Sequence, residues 1–144
     1  MIRKEVVCAK LAQLRERQKV LARLAAEPRD VFVTDPIRVG AAERMLQVSI
    51  EICLDIGHHV IVALGLPRPG EHRDVFRILG EQAILPREFA ARLERMAAFR
   101  NRLVHVYAAI DPAVVHDYLA RERGDFDEFA RLIAAFVKAR TPAE

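Results

Sequence analysis

Met45-Leu46-Gln47-Val48-Ser49-Ile50-Glu51-Ile52-Cys53-Leu54-Asp55-Ile56-Gly57-His58-His59-Val60-Ile61-Val62-Ala63-Leu64 decides the fold. Wound as an α-helix, this run shows apolar side chains almost all the way round. Only a narrow polar stripe is left, at Gln47, Glu51, Asp55 and one of His58 or His59. A helix that is apolar on nearly every side must be enclosed by other elements, so the segment reads as the central helix of an all-α protein. Its start lies upstream at Asp35-Pro36, where a carboxylate suited to capping precedes a proline suited to the first helical position. Gly65 and Pro67 close it.

The flanking sequence supplies the enclosing helices. Residues 2 to 26 place Val7, Leu11, Leu14, Leu21 and Ala25 at steps of three and four among charges, the pattern of an amphipathic surface helix. A short helix is expected near 72 to 82, and Pro86 starts another that runs through residues 100 to 107. Asp111-Pro112 opens the next one. Asp125, with Glu128 three residues on, resembles a capping box for the last, whose apolar content is Phe126, Phe129, Leu132, Ile133, Phe136 and Val137. Val31-Phe32-Val33 is the one β-like run and is too short to found a sheet. The expectation is a single domain over residues 1–144, an up-and-down bundle of five or six helices.

Composition agrees with a packed domain: hydrophobic residues make up 52% and charged residues 30%, too apolar for a disordered chain. The start, Met1-Ile2-Arg3-Lys4-Glu5, is charged and is followed by no run suited to a secretory signal or membrane span, so a cytoplasmic protein without a membrane partner is expected. Cys8 and Cys53 both fall in apolar helical patterns and read as buried free thiols. The net charge of +3 permits an anionic partner without requiring one. Arginines number 19 against four lysines, which suits bidentate phosphate contacts and equally reflects GC-rich codon usage.

Arg100-Asn101-Arg102-Leu103-Val104-His105-Val106-Tyr107 concentrates a fixed cation, an amide, an imidazole and a phenol in two helical turns. Phe99, Leu103, Val106 and Ile110 share one face, whereas Phe89, Leu93 and Met96 share a face rotated by roughly 70°. A bend or irregular turn near Ala98 to Asn101 would reconcile the two. Around the axis, His105 and Asn101 project about 140° from Arg100, so Arg100 and His105 of one straight helix do not readily converge. Two copies meeting across a two-fold axis would bring them together, and Val104 and Ala108 supply small apolar surface for that contact. Asp55-x-x-His58 resembles half of a bundle metal site, but no second acid-x-x-His pair supplies its mate, and no metal or cofactor is expected.

The Arg-x4-His-x-Tyr string, preceded by Met96-Ala97-Ala98-Phe99 and followed by Ile110-Asp111, resembles that of the HepT-like ribonuclease toxins of the HEPN superfamily. The likeness extends more loosely from about residue 40 to 120. It implies a HEPN-like helical homodimer with a composite site that cleaves RNA without a metal. The ribose 2′-OH attacks the adjacent phosphate, His105 moves protons and Arg100 holds the charge of the phosphorane. Asn101 would orient the phosphate or brace the helix turn, and Arg102 would join it in positioning RNA. Glu51, Asp55 and His58 would form a polar network around the cleft. Tyr107 either lays its ring on the core with a wet hydroxyl or, as the resemblance implies, takes AMP from an MNT-type nucleotidyltransferase antitoxin. A catalytically silent helical module that binds the nucleotidyltransferase or RNA is the alternative.

Overall fold

The computed structural model describes residues 1–105 and 109–140. Among these residues seven helices follow one another: α1 (Lys4–Ala25), α2 (Arg29–Val33), α3 (Pro36–Ala63), α4 (His72–Glu81), α5 (Arg87–Val104), α6 (Pro112–Glu122) and α7 (Gly124–Arg140). No strand occurs among the described residues.

α3 is the centre, in contact with each of the other six helices. Its start is as the sequence implies: the Asp35 carboxylate accepts the Ile37 N–H at 2.9 Å, with Pro36 in the first turn. Gly65, at φ 67°, ends it in the left-handed conformation that glycine adopts without steric cost. Leu46, Ile50, Cys53, Ile56, Val60 and Ile61 are buried all round, each aliphatic side chain contributing about 1.5–3 kcal/mol by leaving water. By length and composition alone α3 could cross a membrane. Its burial among six helices accounts for that apolarity.

Around it, α1 buries Val7, Leu14 and Leu21 as expected, and also Gln18 on the same stripe. The Gln18 amide donates to buried Ser49 of α3 at 3.3 Å, so the polar residue in the apolar stripe faces a polar residue in the core. α4 lies close against both its neighbours. A Cβ on Gly57 would stand 2.5 Å from Val75 Cγ1, and one on Gly80 would stand 2.6 Å from Ala90 Cβ, so only glycine permits these approaches to α3 and α5.

Four expectations change. Val31-Phe32-Val33 is helical: Pro28 caps α2, and Phe32 is fully buried beside the His116 ring of α6, which raises the helix count to seven. The capping-box reading of Asp125 fails because α7 starts at Gly124, leaving Asp125 inside the first turn. There it is buried and ion-paired with Arg92 of α5. Burial pushes its carboxyl up to about 6 against the pull of Arg92, and Glu122 adds to the rise. Cys8 is exposed rather than buried, because it lies on the outer side of α1; Cys53 is buried, and both thiols are free.

The fourth change concerns α5. It runs as one continuous helix, without an irregular turn near Ala98 to Asn101, and stops at Val104. His105 is extended, at φ −80° and ψ 103°. The two apolar faces are reconciled by ending the helix, so that Ile110 returns to the core from the connection to α6. Leu103 is half-buried, and Val106 lies outside the described residues.

Candidate active site

Arg100 reaches its place through helix periodicity. Leu93, Met96 and Ala97 are buried, and Arg100, four residues after Met96 and three after Ala97, continues their stripe toward α3. Its guanidinium meets Glu51 there, with Nη2 at 3.0 Å and Nε at 3.3 Å from Oε1. The Arg100 side chain keeps only 22% of its exposure, so this pair is better shielded from solvent than an ordinary surface salt bridge. Gln47, one turn before Glu51 on α3, donates to the same carboxylate at 3.2 Å. Burial works to raise the Glu51 carboxyl. The hydrogen bonds from Gln47 and Arg100, together with the charges of Arg100 and Arg44, outweigh burial and hold it below its usual range.

The rest of the motif spreads from that anchor. Arg100 Nη1 faces Asn101 Oδ1 at 3.4 Å, which ties the amide to the guanidinium. Phe99 stacks on Tyr118 of α6 with centroids 4.2 Å apart and planes within 7°. The Arg102 guanidinium lies 5.8 Å from the Phe99 ring centroid, a cation–π contact at the exposed end of α5. His105 follows, exposed, at the first position beyond the helix. Val104 is half-buried. Tyr107, the expected modification site, and Ala108, the expected subunit contact, lie outside the described residues.

A cleft opens between α3, α4 and α5. It consists of two hollows of about 700 and 470 Å³ that share His58, His72 and Val75. Arg100, Glu51 and Asp55 line the smaller hollow, and Asn101 lines the larger. The polar stripe of α3 and the motif of α5 therefore face one space. His105 lines neither hollow. Asp55 sits 3.6 Å from Lys10 of α1. Of the two histidines left open by the sequence, His58 faces the cleft, while His59 accepts the Arg3 backbone N–H at 3.1 Å.

Sequence reasoning missed His72 and Lys10. His72 stands at the first position of α4, where no periodicity distinguishes it; it enters the cleft only because Gly57 lets α4 close on α3. It does not complete a metal site. Among the described residues no three His, Cys, Asp or Glu side chains gather closely enough to hold an ion.

Comparison with known proteins follows the same outline. The sequence profile described as Ribonuclease HepT-like matches residues 10–133. The mRNA nuclease HepT of Shewanella oneidensis is 29% identical over 90 residues, 62% of this chain and 68% of that protein. The tRNA nuclease HepT of Aphanizomenon flos-aquae is 30% identical over 95 residues, 66% of this chain and 65% of that protein. Among solved structures, a tri-AMPylated Shewanella oneidensis HEPN toxin in complex with MNT antitoxin superposes with a TM-score of 0.85 at 23% identity, covering 92% of this chain and 99% of that one. Since the profile runs from within α1 to within α7 and takes in both walls of the cleft, this chain belongs to the HepT-like ribonuclease family.

Proposed function

We propose that the chain is an endoribonuclease toxin that cleaves RNA through the ribose 2′-OH, without a metal, as a homodimer restrained by an MNT-type nucleotidyltransferase antitoxin. The observation that carries the reading is the guanidinium of Arg100, half-sheltered, held on Glu51 and braced by Asn101 at the end of the helix that delivers His105. An arginine fixed in this way keeps its charge and needs little reorganisation to receive a phosphate. His105 takes the 2′-OH proton as the 2′-oxygen bonds to phosphorus. The bond to the 5′-oxygen then breaks and that oxygen takes a proton from the protonated His105 ring, giving a 2′,3′-cyclic phosphate and a 5′-hydroxyl. DNA lacks the nucleophile and is spared.

The geometry of one chain supports the dimer. His105 lies outside the cleft that holds Arg100, and a two-fold contact between the ends of α5 would bring both motifs to a shared groove. Val104, half-buried on the isolated chain, has the apolar character such a contact needs. The names of the two curated relatives support RNA as substrate class while differing in the RNA named. The solved toxin–antitoxin complex supports a nucleotidyltransferase partner and AMP on the toxin, and Tyr107 carries the one hydroxyl in the Arg100–Tyr107 string. A cytoplasmic location suits an RNA target.

One observation favours the alternative, a silent module that binds the nucleotidyltransferase or RNA: Glu51 already neutralises Arg100. Incubating purified protein with labelled total RNA and EDTA separates the two. Cleavage is expected from the wild type, and Arg100→Ala and His105→Ala should each lower it by a factor of about 10² to 10⁴. An inert wild type, or variants as active as the wild type, would overturn the enzymatic reading.

A further inference from the structure

Neither the His58 nor the His72 side chain makes a hydrogen bond or ion pair among the described residues, although both line both hollows of the cleft from different helices. Between them lies an apolar floor, with Val75 and Ala97 buried beneath it. Arg100, anchored on Glu51, lines the smaller hollow, and the exposed Arg73, paired with Glu71 at 2.8 Å, borders the larger. Two half-apolar rings beside buried Val75 and Ala97, with a guanidinium bordering each hollow, match a particular chemistry. Single-stranded RNA is recognised by splaying its bases onto aromatic and imidazole rings while cations hold the flanking phosphates. The hollows, about 700 and 470 Å³, fall within the roughly 300–1,000 Å³ of sites that enclose small ligands, and a nucleotide belongs to that class.

We propose that this cleft is a nucleotide subsite of the RNA-binding groove, in which an unpaired base next to the phosphate on Arg100 stacks against His58 and His72. The inference rests on the ribonuclease reading and adds residues to it. In this arrangement the two histidines bind by ring area, Asn101 offers its amide to a base edge, and proton transfer remains with His105. α4 thereby becomes part of the substrate surface. The helix N-terminus of α4 is not the anion holder here, because the Asp74 carboxylate already accepts the Glu71 N–H at 3.0 Å.

The test uses the full chain and a short fluorescein-labelled single-stranded RNA with 2′-O-methyl riboses, which cannot be cleaved, read by fluorescence anisotropy. His58→Ala and His72→Ala should each weaken binding by about tenfold, the cost of losing one stacked base. His72→Phe should restore binding, because the ring survives without the titratable nitrogens. Alanine variants that bind as the wild type does, or a phenylalanine variant as weak as the alanine one, would overturn the subsite. Cleavage of the same RNA with free 2′-hydroxyls distinguishes the two levels of failure. A wild type that cleaves while both alanine variants keep their affinity removes the subsite alone, whereas a wild type that neither cleaves nor binds removes the ribonuclease reading and the subsite with it.

Discussion

Glu51 touches Arg100 through two nitrogens and Gln47 through a third, so the carboxylate is the joint on which the candidate site turns. Its folded-state carboxyl lies below the ordinary value of 4.5. The folded protein therefore binds that proton less readily than the unfolded chain. The stability this contributes is present above pH 4.5 and is lost as pH falls through the lower, folded value. Glu51→Gln removes the titration while keeping the shape, so in thermal melts the advantage of the wild type over this variant should shrink from pH 7 to pH 4. A constant difference would show that the charge is not what holds the pair. The residue types of the site were legible in the sequence, because Arg100, Asn101 and His105 stand in a short string and Glu51, Asp55 and His58 share a helical stripe. Their pairing was not. Which acid meets Arg100 depends on how α3 and α5 cross, a tertiary quantity that no local spacing encodes.

Helix starts governed by a side chain and its own backbone were read correctly. Asp35 caps α3, and Asp111 caps α6 by accepting the Ala113 N–H at 2.9 Å. The places where reading failed are those settled by distant partners: α2 is helical with Phe32 buried against α3 and α6, α7 starts early with Asp125 turned toward Arg92, and α5 ends so that Ile110 can return to the core. The α4–α5 contact shows how little slack such packing leaves. Gly80→Ala would press its methyl against Ala90 Cβ, which cannot move without its backbone. Despite alanine's better helix propensity, the overpacking should cost about 1–3 kcal/mol in denaturant unfolding. A variant as stable as the wild type would mean that the two helices separate freely.

A single helix in contact with all the others made the class of the molecule readable from one stretch of sequence, but the sequence held no equivalent mark for how two molecules meet. If α5 ends face each other in a dimer, Val104→Arg should bring like charges together across the two-fold axis, yield a monomer in sedimentation and abolish RNA cleavage with Arg100 and His105 intact. A wild type that sediments as a monomer at micromolar concentration would defeat that arrangement. The position of α3 has a separate consequence for how the chain opens. Its amides can reach solvent only if helices on several sides detach together, whereas α2, five residues long at the periphery, can open by itself. In native-state hydrogen exchange, α3 amides should therefore report the free energy of global unfolding and α2 amides a much smaller local one. Exchange of mid-α3 amides as fast as those of α2 would show that the molecule comes apart in independent pieces.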